Sequence, residues 1–237
     1  MKSELIYWVL LFPIISFSQS DKVIVNYKSL LNDSKDEFGS FLYEKGQLIT
    51  TKYESIYIET PLDTVVNLRN SGEYSTHGLN YKFTYFKKLN ENSVFQDRNY
   101  GLKEIIKDDN YKIIWKITSN TKKILTYTCQ EATGIFRGRK YRAYFLQDIP
   151  ISSGPFKFDG LPGLILQVES TDGEVSIAAT DITYDEGNVS NPFINVGHKT
   201  WSEFTNYYQL RFEKTVGVKQ NGTEVFIPKR YIEYFLN

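Results

Sequence analysis

The chain has 237 residues and no net charge, with 28 Lys and Arg balanced by 28 Asp and Glu. That balance argues against a dedicated nucleic-acid partner, which leaves a basic footprint, and the single cysteine, Cys129, excludes an internal disulfide. Aromatic residues make up 16% of the chain, an enrichment that suits pleated sheets whose rings pack across strands.

Residues 1–18 read as a signal peptide. Lys2 and the N-terminal amine give a weakly basic start, 5–15 is an apolar run too short to cross a bilayer, and Ser16 and Ser18 set small residues before a cut after Ser18. No cysteine lies near the cut, so no lipid anchor on cysteine is expected. Residues 19–237 are then read as one β-rich domain, periplasmic or secreted, with no membrane span after cleavage.

Residues 23–30 alternate Val23, Val25 and Tyr27 against Ile24, Asn26 and Lys28, the pattern of a half-buried strand. Residues 38–43 and 47–51 read as a hairpin joined by Glu44-Lys45-Gly46. A strand over 55–60 stops at Pro61. Residues 61–80 are more polar, with turns at Asn70-Ser71-Gly72 and His77-Gly78. Residues 81–87 alternate again, and 94–101 show no clear period. Strands over 102–107 and 112–118 bracket a turn at Asp108-Asp109-Asn110, with Trp115 sharing a face with Ile113 and Ile117. Ser119-Asn120-Thr121 reads as the turn into a strand over 123–132. Over 139–146, Arg139, Tyr141, Ala143 and Phe145 face one way and Lys140, Arg142 and Tyr144 the other. Strands over 164–170 and 174–184 flank the turn Thr171-Asp172-Gly173. One segment, 202–215, is helical, with Ser202 as N-cap and an apolar face of Phe204, Tyr207, Tyr208 and Leu210. Asn221-Gly222 then turns into strands over 224–227 and 230–235. Turn signals spaced roughly eight to twelve residues apart favour an antiparallel sheet over βαβ units. The expected fold is all-β or β-rich α+β: a large curved antiparallel sheet, open or barrel-like, with one helix in the C-terminal half.

The stretch 148–168 concentrates conformational constraint. Gly154, Pro155, Gly160, Pro162 and Gly163 fall close together, after Asp148 and Pro150; each Pro fixes φ and each Gly opens positive φ. Phe156, Phe158 and Leu161 between them are apolar enough to be buried, which a flexible linker would not carry. A packed loop that delivers the chain into the next strand is expected, with Gly160 or Gly163 at positive φ.

Catalytic equipment is sparse. His77 and His198 are the only histidines; there is no HExxH, no paired Cys/His set, no G-x-S-x-G and no P-loop, so no metal and no cofactor is implied. Cys129 lies mid-strand, where a buried thiol is the ordinary role. Asp148 and Asp159 flank the constrained loop; two carboxylates serve acid–base work or a cation, or accept backbone N–H groups in tight turns. Arg139 shares the face of Tyr141, consistent with a buried Arg that bonds the loop.

The hexapeptide from Gly160 to Ile165 reads GLPGLI, and the chain resembles the GLPGLI family of exported bacterial proteins. The resemblance also rests on Lys122, Lys123, Ile124, Tyr127, Cys129, Ala132, Gly138, Arg139, Tyr141, Ala143, Tyr144 and Phe145, and on the run Asp148 through Ile151, Gly154, Pro155, Lys157 and Phe158. Thr126 stands where the family usually has Gly. The resemblance implies an exported β-rich domain and companionship with TonB-dependent uptake systems, but no established activity. Two classes of function follow. One is a non-catalytic envelope binding or accessory protein that holds an apolar or peptide-like ligand in the curved sheet, or docks on an outer-membrane receptor. The other is a hydrolase or metal-dependent enzyme built on Asp148, Asp159 and Arg139, which requires those three side chains to converge in one open pocket.

Overall fold

The computed structural model describes residues 22–32, 41–61, 64–68, 72–76, 82–97, 102, 104–220, 223–224 and 232–233. The signal segment 1–18, His77, and most of the strands expected over 224–227 and 230–235 lie outside the described residues. The strands are β1 (Lys22–Asn32), β2 (Phe41–Thr50), β3 (Glu54–Pro61), β4 (Thr64–Leu68), β5 (Gly72–Thr76), β6 (Phe83–Lys88), β7 (Val94–Gln96), β8 (Ile105–Asp108), β9 (Lys116–Ile124), β10 (Tyr127–Phe136), β11 (Arg139–Leu146), β12 (Leu164–Ser170), β13 (Val175–Asp185) and β14 (His198–Thr200). Helix α1 (Trp201–Thr215) and the short strands β15 (Lys219–Gln220) and β16 (Thr223–Glu224) follow.

Twelve strands form one sheet in the order β14-β8-β7-β6-β3-β2-β1-β13-β12-β11-β10-β9. Among the described residues the chain adopts the expected strand-rich fold with a single helix. The sheet is not closed, and it is mixed because β14 pairs parallel to β8. Inward positions repeat every second residue: Val23, Val25 and Tyr27 on β1, Tyr141, Ala143 and Phe145 on β11, and Val175, Ile177 and Ala179 on β13 are all buried. These side chains belong to one continuous core.

Four expectations are corrected. The hairpin expected at Glu44-Lys45-Gly46 is absent, and β2 runs straight through it. Gly46 sits under the Tyr57 ring of β3, where an added Cβ would lie 1.9 Å from the Tyr57 hydroxyl, so the glycine makes room for a ring and not for a turn. The turn expected at Ser119-Asn120-Thr121 is also absent, because Thr118 and Asn120 donate to the Glu131 carboxylate at 2.9 and 3.0 Å and hold these turn-forming residues in β9. The chain reverses instead at Leu125-Thr126, where Leu125 takes φ 53° and Thr126 needs no glycine. Residues 111–115 lie outside any strand, with Ile113 and Trp115 packed over Gly134 of β10. The N-cap of α1 is Thr200, not Ser202: Thr200 Oγ1 accepts from the Glu203 N–H at 3.2 Å while Glu203 Oε2 accepts from the Thr200 N–H at 2.8 Å. The helix buries Phe204 and Tyr208 against Ile106 of β8 and leaves Leu210 exposed.

The segment between β11 and β12 is packed against the core face of the sheet. Ile149, Phe156, Phe158 and Leu161 are buried, Gly160 takes φ 88°, and Phe156 takes φ 51°. Gly163 is required for another reason: a Cβ there would stand 2.3 Å from the Leu146 carbonyl oxygen. At Gly160 the closest atom would be 3.8 Å away, leaving only the φ penalty. Gly160→Ala therefore costs about 1 kcal/mol, and Gly163→Ala about 2–3 kcal/mol, because backbone has to move. Urea unfolding of both variants checks the order; midpoints equal to wild type would contradict the packing of this loop.

Candidate functional site

The loop joins strands that are far apart in the sheet. Phe156 lies 4.9 Å from the Tyr85 ring of β6, and Phe158 lies 4.9 Å from Tyr141 of β11 and 5.8 Å from Phe136 of β10. β6 and β11 are six places apart in the strand order, so the sheet curls round the loop. Tyr27, Tyr57 and Tyr85 extend the run of rings at 6.1 Å steps along the core face. Ring pairs of this kind add about 0.5–1.5 kcal/mol each beyond the area they bury.

Two buried charges on the loop are matched by charges from both arms. Asp159 accepts the Tyr111 hydroxyl at 2.8 Å and Lys112 Nζ at 3.0 and 3.1 Å, with Lys87 Nζ of β6 at 3.8 Å. Lys87, fully buried, also donates to the carbonyls of Gly154 and Phe158 at 3.2 and 3.4 Å. Burial pulls its ammonium down to about 8, against the opposing pull of Asp159. The hydroxyl of Tyr111 is pushed well above the ordinary phenol range by burial and then by Asp159. Trp115 Nε1 donates to the Asp159 carbonyl at 2.7 Å.

Lys157 forms the second knot. Its Nζ donates to Asp108 at the end of β8 at 2.9 Å and to Glu233 at 2.6 Å, with all three side chains buried. Arg137, in the β10–β11 turn, donates to the same two carboxylates, at 2.7 Å to Asp108 and 2.5 Å to Glu233. Burial raises the Asp108 carboxyl, but Lys157 and Arg137 together outweigh it and hold it below the usual range. The Trp201 ring stacks against both cations, at 3.6 Å from the Arg137 guanidinium and 3.9 Å from Lys157 Nζ, which fastens α1 to the knot.

The remaining candidate residues are dispersed. Asp148 is exposed beyond the end of β11, whereas Arg139 is buried at its start and donates to Glu174 at 2.7 Å. Asp148, Asp159 and Arg139 thus have separate surroundings and do not meet in a pocket, which removes the geometry the hydrolase reading required. Cys129 is buried; its thiol is pushed up to about 11 by burial and then by Asp148, far from a reactive thiolate. Tyr144 is buried under Lys122 and donates to Glu131 and Glu169 at 3.3 Å. Tyr141 donates its hydroxyl to the Ile232 carbonyl. Gly154, Pro155 and Leu161 are buried, while Pro150, Gly160 and Pro162 are exposed. Among the described residues no group of three or more His, Cys, Asp or Glu side chains is placed to hold a metal.

Lys87, Asp108, Lys157 and Glu233 were missed as candidates. For Lys87 a signal existed: alternation over 81–87 sets it on the inward face with Tyr85. The concavity expected to take an apolar ligand is occupied by the loop, so binding surface has to be sought outside. Among the described residues β9 pairs only with β10 and forms one edge of the sheet, β14 the other. Beside it lies a trough of about 620 Å³ lined by Lys112, Ile114, Thr133, Ile135 and Lys140 among others, with Ile114 93% and Ile135 62% exposed.

Residues 137–167, which span the β10–β11 turn, β11, the loop and the start of β12, match the model of Porph_ging, a family of proteins of unknown function. No curated protein sequence matches the chain. Two solved structures of PNGF-II, in space groups P21 and C2, are similar in fold, with TM-scores of 0.53 and 0.51 at 16% identity. The matches cover 79% and 78% of this chain, and this chain spans about a third of theirs, 33% and 32%.

The depressed Lys87 gives a signed pH dependence. The folded state releases this proton at about pH 8 and the unfolded chain near 10.5, so the penalty is present below 8 and relieved as pH rises towards 10.5. The gain is at most about 3 kcal/mol. Tyr27, Tyr111 and Tyr141 are raised, so their contribution is intact below pH 10 and lost above it. The raised Cys129 thiol opposes this gain from pH 9 upward, so unfolding free energy should rise between pH 8 and 9, level off, and fall beyond 10, and the rise should vanish in Lys87→Met. An identical profile in that variant would contradict the assignment.

Proposed function

We propose that this chain is a non-catalytic binding module of the bacterial envelope, which takes an extended acidic segment of a partner protein along the free edge of β9. The observation that carries the reading is an open, lysine-flanked edge on a sheet whose interior is already filled. Strand addition supplies main-chain hydrogen bonds from the free edge, and side-chain pockets supply selectivity. β9 carries Lys116, Lys122 and Lys123 and no carboxylate, and Lys112 and Lys140 border the trough. Ile114, Ile135 and Ile117 add exposed apolar surface. An acidic strand with apolar residues at alternate positions complements both features.

The resemblance to the GLPGLI family supports export after removal of residues 1–18, a single domain over 19–237, and a partner in an outer-membrane TonB-dependent uptake system. Among the described residues no helix is long and apolar enough to cross a membrane. A photo-cross-linking side chain at Ile114 tests the reading in native envelopes. It should give one discrete protein adduct that is missing from the same group at Tyr184 and lost in Lys116→Glu/Lys123→Glu with unchanged melting temperature. Equal adducts at Ile114 and Tyr184, or none, would sink the proposal.

A further inference from the structure

The chain leaves the sheet edge just before β9. Residues 111–115 belong to no strand, and Ile113 and Trp115 turn onto the core side, packed over Gly134 of β10. The regular edge that an extended segment can pair with therefore begins at Lys116. It is interrupted a few residues on, because Thr118, Ser119 and Asn120 of β9 stand against Glu131 alone between the Ile117–Ala132 and Thr121–Gln130 pairs. A bulge of this kind bends the strand and breaks its ladder. The ladder beside the trough is thus short, and strand addition there gains most from a side-chain anchor at its end.

The trough lies at that end. Lys140 is exposed and stands opposite Ile135 in the β10–β11 register, and Lys112 and Ile114 border the same trough from the 111–115 segment. Lys112 has a counter-charge, but shares it. Asp159, 1% exposed, takes Lys112 at 3.0 Å and Lys87 at 3.8 Å. One carboxylate therefore serves two ammonium groups, and these three side chains together carry one positive charge. Lys87 is sealed in the interior. Lys112 keeps 30% of its side chain in solvent and lines the trough, so a second anion reaches the group from there. Ile114 and Ile135, both exposed, set apolar surface beside the cations.

We infer that the trough captures the C-terminal residue of the segment that adds to β9, with its terminal carboxylate between Lys112 and Lys140 and its last side chain on Ile114 and Ile135. The inference rests on the β9 reading and deepens it. A chain end presents a carboxylate and a side chain on the same Cα, which is what two cations beside two isoleucines complement. An internal acidic residue would carry its chain on past Lys116, where the edge has already turned towards the core. The placement also fixes direction. β9 runs from Lys116 to Ile124, so a segment that ends beside Lys112 runs antiparallel to it.

Fluorescence anisotropy with labelled hexapeptides tests it, using a pool in which Asp or Glu alternates with Val, Ile or Leu, prepared once as free acids and once as C-terminal amides. The free acids should bind at least about tenfold tighter than the amides. Lys140→Gln should cut that advantage at least about threefold and leave the amides unchanged, while Lys52→Gln, the same charge change in the β2–β3 turn, should move neither. Lys140 lies outside the Asp159 network, so its removal spares the interior; Lys112→Gln would cost Asp159 a partner. A photo-reactive last residue on the free acids should label residues 112–114 or 135. Equal affinity of acids and amides, an unchanged advantage in Lys140→Gln, or labelling within 121–124 instead, would overturn the inference and leave strand addition at β9 standing. Binding of neither pool would overturn both.

Discussion

Lys157 and Asp159 sit in the interior on a loop that forms no regular structure, and each needs a counter-charge from a different part of the sheet. An uncompensated charge at such depth costs several kcal/mol, and removing one partner from a buried pair typically costs about 3–5 kcal/mol. Asp108 on β8 and Glu233 face Lys157, with Arg137 at the β10–β11 turn balancing the second carboxylate, while Lys112 and Lys87 on β6 face Asp159. The loop is therefore fully satisfied only when both arms of the sheet close on it. The ring contacts of Phe156 and Phe158 follow the same geometry, one towards β6 and the other towards β10 and β11. An unclosed twelve-stranded sheet is held in its curl by side chains where a barrel would use backbone ladder bonds.

This arrangement redirects the functional question. Burial accounts for Pro155, and burial with close contacts for Gly154 and Gly163, as parts of the packed loop. The side chains best placed to meet another molecule are on the outside, along the β9 edge and its trough. That edge combines cations with open surface, while the acidic residues nearest the loop are consumed by internal pairs.

Much of the framework was legible in the sequence. Period-two alternation located β1, β6, β11, β12 and β13, and the Gly/Pro density around Phe156 and Phe158 marked a packed loop. Errors arose where a long-range partner decided the conformation. Gly46 resembles a turn residue until Tyr57 is seen above it. Ser119, Asn120 and Thr121 resemble a turn until Glu131 holds their neighbours in a strand. The ionic knots were illegible for the same reason: Lys157 and Glu233 are far apart in sequence, and no local pattern announces their pairing. Asp108 read as a turn residue because Asp109 and Asn110 follow it, although its carboxylate faces inward.

The coupling of distant strands through the loop can be measured directly by hydrogen exchange of wild type and Phe158→Ala. That ring touches β10, β11 and Phe156, which meets Tyr85 of β6, and the carbonyl of the same residue accepts from Lys87 of β6. If the loop is the strut that holds the curl, losing the ring should speed amide exchange in β6 as well as in β10 and β11, by comparable factors. Faster exchange confined to β10 and β11, with β6 unchanged, would contradict the account.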